Sequence, residues 1–249
     1  MGIQIIGHTS FLGTTGYNNH SRNFFTHLNN HIPTRIRNYT HTSDLSYLKP
    51  EEYNLIIEQQ LDGHPLPVGK PFTPNSNDLQ VNIVLNESHH YFFYDEYKSP
   101  MIAYNVWEST KQLKEFFNRI LEYDQFWCPT EWQKQCTIDQ GYPADRVKVV
   151  PEGVNGNLFH PVHFIKDQHS LFQKYNIPRD AFVFMIFGRW DYRKSTQEMI
   201  QTWHDTFKDV DNCYLILSVD NPFSNDGMET TEERLKHFKL EYKRIKVLH

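Results

Sequence analysis

Phe182-Val-Phe-Met-Ile-Phe-Gly-Arg-Trp-Asp-Tyr-Arg-Lys-Ser195 is the stretch on which the fold turns. The apolar run Phe182–Phe187 reads as a buried strand, and it passes through Gly188 directly into a helix start. Ser195 with Glu198 fits a capping box, in which the hydroxyl and the later side chain satisfy otherwise unpaired backbone donors. A strand feeding a capped helix is the repeating unit of a parallel α/β sheet. Arg189 and Lys194 then fall at the carboxyl end of a strand, where open α/β sheets bind ligands. Two fixed cations beside a helix N-terminus suit a diphosphate, because dipole and side chains both favour negative charge. The plainer alternative is a solvated basic loop paired with Asp191.

The same alternation extends in both directions. Towards the N-terminus, strands are expected at Ile3–Gly7, Tyr53–Glu58, Val81–Leu85, Met101–Val106, Gln125–Cys128 and Val147–Val150. Towards the C-terminus they are expected at Tyr214–Val219 and Ile245–Leu248. Further capping boxes are read at Ser109 with Gln112, Thr130 with Gln133 and Thr230 with Glu233. After Ser109, the residues Leu113, Phe116, Phe117, Ile120 and Leu121 share one helical face and belong to the core. Gly63–Asn77, rich in Pro, Gly and Asn, reads as a surface loop. Pro151–Pro161 and the polar stretch after it interrupt the pattern, which places a domain boundary near residue 163: a complete domain over 1–163, and a smaller one over 164–249.

Three more segments carry candidate chemistry. Gly13-Thr-Thr-Gly16 follows the first strand and precedes a helix containing Arg22, Phe24, Phe25 and Leu28. Glycines there let the backbone approach a ligand, and the helix start offers N–H groups to an anion; a tight turn explains them equally. Glu108 follows the strand at Met101–Val106. It either binds an acceptor hydroxyl and assists proton transfer, or complements a helix dipole as a first-turn acid. Glu152 and Asn155 follow the last strand of the first domain, as ligand contacts or as parts of a turn built on Pro151 and Gly153.

Composition excludes several classes. The chain has 249 residues, 39% hydrophobic and 15% aromatic, enough for a core. Mean hydropathy is -0.65, and no stretch reaches the roughly 18 apolar residues of a membrane helix. The first residues read as a strand, not a signal peptide. A net charge of -5 argues against a nucleic-acid partner. Cys128, Cys136 and Cys213 have no C-x-x-C spacing, which suits a reducing cytoplasm and opposes a zinc site. Adjacent His89 and His90 cannot share a helical face, so no metal is expected. The fingerprint G-x-G-x-x-G is absent, against a dinucleotide enzyme, and no cofactor is expected.

Taken together, three segments resemble the family-four glycosyltransferases of the GT-B type. YNVWESTKQLKEFFNRILEYDQFWCPTEWQKQCTIDQGYPADRVKVVPEGVNGNLFHP (104–161) is similar to the end of that family's first domain, and FMIFGRWDYRKSTQEMIQTW (184–203) to the opening of its second. GTTGYNNHSRNFFTHL (13–28) is similar to its first-domain glycine loop. The resemblance implies a complete Rossmann-like domain followed by a partial second one, with a nucleotide-sugar donor between them. It also implies a hexose transferred with retention and without metal, to an acceptor (glycan, protein or lipid) that the sequence leaves open. Arg189 and Lys194 match the donor-phosphate pair, Gly13 and Gly16 would lie near donor or acceptor, and Glu108 would face the cleft. The family usually places Gly after that Lys; here it is Ser195, whose hydroxyl is expected to cap the helix instead.

The family's pair of glutamates belongs beyond the residues present. The chain alone is therefore expected to be a poor catalyst or none, and the alternative reading is a catalytically inactive binding module. Ile245–Leu248, a strand without a following helix, is expected to promote self-association.

Overall fold

The computed structural model describes residues 2–40, 45, 46, 48–56, 60, 61, 64, 65, 77–87, 99–160, 170–221, 224 and 226–248. The chain divides into two compact units, Met1–Gly153 and Val154–His249. The boundary expected near 163, and the pair His89 and His90, lie outside the described residues.

In the first unit β1 (Ile3–Thr9), α1 (Gly16–Asn29), β2 (Thr34–Asn38), α2 (Pro50–Tyr53), β3 (Gln60–Leu61), β4 (His64–Pro65), β5 (Leu79–Leu85), β6 (Met101–Tyr104), α3 (Lys114–Leu121), β7 (Gln125–Cys128), α4 (Glu131–Asp139) and β8 (Val147–Val149) follow in order. Six strands form one parallel sheet in the order β2-β1-β5-β6-β7-β8. Alternate residues feed opposite faces. Ile83, Leu85, Ile102 and Tyr104 join Ile5, Phe25 and Ile36 on one side, while Val84, Met101 and Ala103 join Phe117, Ile120 and Phe126 on the other. Burial on both faces is why these strands read as apolar runs. α1 crosses closest at Gly7, where a Cβ would lie 2.6 Å from the Phe25 ring and 2.7 Å from Ile36.

In the second unit β9 (Phe182–Arg189), a 3-10 turn (Tyr192–Lys194), α5 (Thr196–Phe207), β10 (Cys213–Asp220), α6 (Thr231–His237) and β11 (Ile245–Val247) follow. Its parallel sheet is ordered β11-β10-β9. Trp190, Ile200, Trp203, Leu215, Leu217 and Leu235 pack one face. Phe172, Ile177 and Ile216 pack the other. Among the described residues β9 pairs only with β10, and Phe182, Met185 and Phe187 stand exposed along it.

Several local readings are corrected. No strand spans Tyr53–Glu58: Tyr53 ends α2, and Ile56 makes a single parallel bridge to Ile36, residues 57–59 lying outside the described set. Ser109 does not start a helix. α3 begins at Lys114 with Leu113 as an exposed N-cap, because the Gln112 amide donates to the Gln140 side chain at 2.8 Å instead of to a Ser109 cap. Within the expected loop Gly63–Asn77, His64–Pro65 pairs antiparallel with Gln60–Leu61, and the residues from 66 to 76 lie outside the described set. Thr230 and Glu233 do form the reciprocal box.

Candidate functional site

All six strands of the first sheet end on the same side, and the winding reverses between β1 and β5. Ligands of open α/β sheets lie outside the carboxyl ends at such a reversal, so the segments following β1, β5, β6 and β8 form the candidate surface of this unit.

The segment after β1 is held from three directions. From β2, buried Asn38 accepts hydrogen bonds from the amides of Phe11 (2.9 Å) and Leu12 (3.1 Å). From α1, Asn18 donates to the Ser10 carbonyl at 2.7 Å and accepts from the Thr15 amide at 2.8 Å. Arg22, only 7% exposed, donates to the carbonyls of Phe11 (2.9 Å) and Gly13 (2.7 Å) and to the Asn19 side chain. Gly13 has φ of +110°, a region that favours glycine, and a Cβ there would meet Asn18 Oδ1 at 2.7 Å. Gly16 opens α1 with nothing within 4 Å of where its Cβ would stand. The first glycine shapes the loop; the second leaves room at the helix start.

Beyond β6 the chain stays irregular. Gln133 of α4, expected to close a capping box with Thr130, leaves that task half done. Its amide donates to Thr130 Oγ1 at 3.1 Å, but its side chain donates to the Asn105 carbonyl and accepts from the Trp107 amide at 3.1 Å. Tyr17 of α1 donates its hydroxyl to the Val106 carbonyl at 3.2 Å. Burial pushes the Tyr17 phenol well above its ordinary range, and the charges of Glu87, Glu152 and Glu108 add to this. The charges of the two carboxylates singled out in the first domain, Glu108 and Glu152, thus act on one phenol. Glu108 is exposed and precedes α3 by several residues, outside its first turn.

Beyond β8, Glu152 Oε1 lies 2.8 Å from Nδ1 of His20 on α1. The hydrogen bond from His20 holds the Glu152 carboxyl below the usual carboxylate range, against the opposing effect of partial burial. His20 also meets the edge of Tyr104 at 5.0 Å between centroids, and the Tyr104 hydroxyl is anchored on the Val150 carbonyl at 2.7 Å. Asn155 belongs to the second unit; its side chain accepts from the Asn157 amide at 3.0 Å, closing a turn.

In the second unit, Arg189 ends β9 and Lys194 ends the 3-10 turn. Asp191 ties the two together, accepting from Arg189 Nε at 2.7 Å and from the Lys194 amide at 2.9 Å. Those bonds, the Arg189 one foremost, hold the Asp191 carboxyl below its ordinary value. Ser195 does not cap α5 with its hydroxyl. It sits at φ of +50°, the left-handed region in which glycine is at ease, and makes no side-chain cap bond. Among the described residues, no group of three or more His, Cys, Asp or Glu side chains could hold a metal ion, and no helix is long and apolar enough to cross a membrane.

The sequence reading missed His20 and Asn38, and placed Arg22 on its helix without giving it a role. Arg22 and Asn18 carried a signal, since both are polar residues on the helix face that Phe25 and Ser21 bury.

No protein-family model and no curated protein matches the sequence. Among solved structures, the chain is similar to Anabaena Alr3699/HepE in complex with UDP, with a TM-score of 0.65 at 13% identity over 100% of this chain and 69% of that one. It is also similar to the same protein in complex with UDP-glucose (TM-score 0.59, 14% identity, 98% of this chain and 68% of that one). A third likeness is to its complex with UDP and glucose (0.56, 13%, 98% and 68%). At such identities the likeness is one of fold. The chain is α/β and GT-B-like, a complete Rossmann-like domain followed by a second, partial one with three parallel strands among the described residues.

Proposed function

We propose that this chain is a glycosyltransferase of the retaining, family-four kind, moving a hexose from a nucleotide-sugar donor to an acceptor in the cytoplasm. The observation that carries the reading is the loop from Gly188 to Ser195 beyond the carboxyl end of β9, where Asp191 holds the Arg189 guanidinium and the backbone amide of Lys194. Cations on that loop stabilise the charge that develops on a departing nucleoside diphosphate, which is the service a metal would otherwise give. The motif resemblance supports the same reading, as does likeness to a fold that holds UDP and UDP-glucose in HepE. Three free cysteines fit a reducing compartment.

Calorimetry with UDP tests the donor end. Arg189→Ala or Lys194→Ala is expected to cost about 1.5–3 kcal/mol of affinity, the scale of a charge-assisted hydrogen bond. Parent-like affinity in both variants would remove these residues from the site. At the acceptor end, Glu108→Gln is expected to slow transfer while leaving UDP affinity unchanged, and equal rates in both proteins would return Glu108 to a surface acid.

A second reading, a nucleotide-binding module without turnover, is favoured by the small second sheet, in which among the described residues β9 pairs only with β10. Transfer assays across several nucleotide sugars separate the two. Turnover of roughly 1 per second from monomeric protein establishes the enzyme, and UDP binding with no turnover establishes the module.

A further inference from the structure

We propose that His20 is an acceptor-binding residue, presenting Nε2 to a hydroxyl of a carbohydrate-like acceptor, with Glu152 as its positioning residue; this rests on the transferase reading above. The pair lies beyond the carboxyl ends of β6 and β8, where the first unit's ligand surface is expected. Glu152 Oε1 stands 2.8 Å from Nδ1 and its carboxyl is held low by His20; a carboxylate can only accept, so this contact favours the tautomer with its proton on Nδ1. In that tautomer Nε2 carries a lone pair, a partner for an O–H donor. Among the described residues no side chain or backbone group hydrogen-bonds it.

Ring orientation is fixed as well. The edge contact with Tyr104 is perpendicular, at 90°, and Phe24 stands on another side at 6.1 Å. Tyr104 is itself fully buried and tied to the Val150 carbonyl. His20 keeps 14% of its side chain in contact with solvent and Glu152 keeps 46%, so the site opens outward. A group held on three sides and open on the fourth is built to receive a ligand and adds little ordering cost when it does so. The chemistry selects the ligand: a ring-nitrogen lone pair beside a carboxylate welcomes a hydroxyl and repels an anion.

The experiment uses the whole chain labelled with 15N-histidine, at about pH 8, where ordinary imidazoles are neutral. The His20 signals are assigned with His20→Asn. The ring is expected in the Nδ1-protonated tautomer, and glucose, as the hydroxyl probe, is expected to move its Nε2 resonance saturably. Acetate, as the anion probe, should not. Glu152→Gln should mix the tautomers and weaken the glucose response about tenfold, the loss of one orienting hydrogen bond. UDP affinity by calorimetry should be the same in parent and both variants. An Nε2-protonated ring, a response to acetate but not glucose, or an unmoved His20 signal in protein that binds UDP would overturn the proposal. Failure of the parent to bind UDP would instead count against the transferase reading, while the tautomer and glucose response of His20 are still read directly.

Discussion

Replacing Phe25 by Ala is expected to lower the unfolding free energy of the first unit by about 3–5 kcal/mol, the range for deleting a fully buried aromatic ring. Phe25 is 0% exposed, and the space it fills is shaped for it: Gly7 of β1 has no Cβ to collide with the ring, and Phe24 packs against it edge-on at 5.0 Å. The effect reaches the site because Asn18, His20 and Arg22 ride on the same helix. The converse change, Gly7→Ala, overpacks the same contact and is expected to cost about 1–3 kcal/mol. Urea denaturation of both variants checks the pair. A loss below about 1 kcal/mol for Phe25→Ala would mean that a neighbouring side chain refills the gap without cost.

Acid is expected to destabilise the first unit well before its carboxylates titrate. His8 is 0% exposed, donates from Nε2 to Asn82 Oδ1 at 2.8 Å, and accepts at Nδ1 from the Tyr39 hydroxyl at 2.8 Å. The amide orientation of Asn82 is fixed by its own donation to Ser99 at 2.8 Å. Burial lowers the His8 pKa from 6.5 to about 4, with Arg37 adding to the effect and the Asn82 bond opposing it. Between those values the unfolded chain binds a proton that the folded one excludes. Stability from this group is therefore complete above pH 6.5 and declines as pH falls towards 4, by about 3 kcal/mol in all. The Glu152 carboxyl, held low by His20, contributes above its unfolded value and loses that contribution at still lower pH. Denaturant midpoints measured across this window should slope in the parent and flatten in His8→Gln. A flat parent would show that His8 takes up its proton inside the fold.

The sequence conveyed the sheet well and its margins poorly. Central strands such as Leu79–Leu85 are covered on both faces, so burial writes itself as an apolar run. β2 escaped the reading because Thr-Arg-Ile-Arg-Asn has one apolar residue, and its buried Thr34 and Asn38 are satisfied by hydrogen bonds. Capping boxes are local patterns and fail where something distant competes: the box at Thr230 formed, whereas at Ser109 the Gln140 side chain intervened, and at Ser195 the backbone turned left-handed. Arg189 and Lys194 could be read together because both lie on one short loop. The contact of His20 with Glu152 could not, since the two residues lie far apart in sequence, on the helix after β1 and the segment after β8, and only the folded sheet brings them together.

Among the described residues nothing pairs with the outer margin of β9, which makes concentration itself a variable for this protein. Its outward amides and carbonyls form a template, and Phe182, Met185 and Phe187 make the approach of another strand favourable. Association through such an edge is second order, so dilute and concentrated samples behave as different materials. A charged side chain in place of Met185 or Phe187 acts as a gatekeeper on this margin, and since both lie short of Gly188 it leaves the Arg189–Asp191 contact in place.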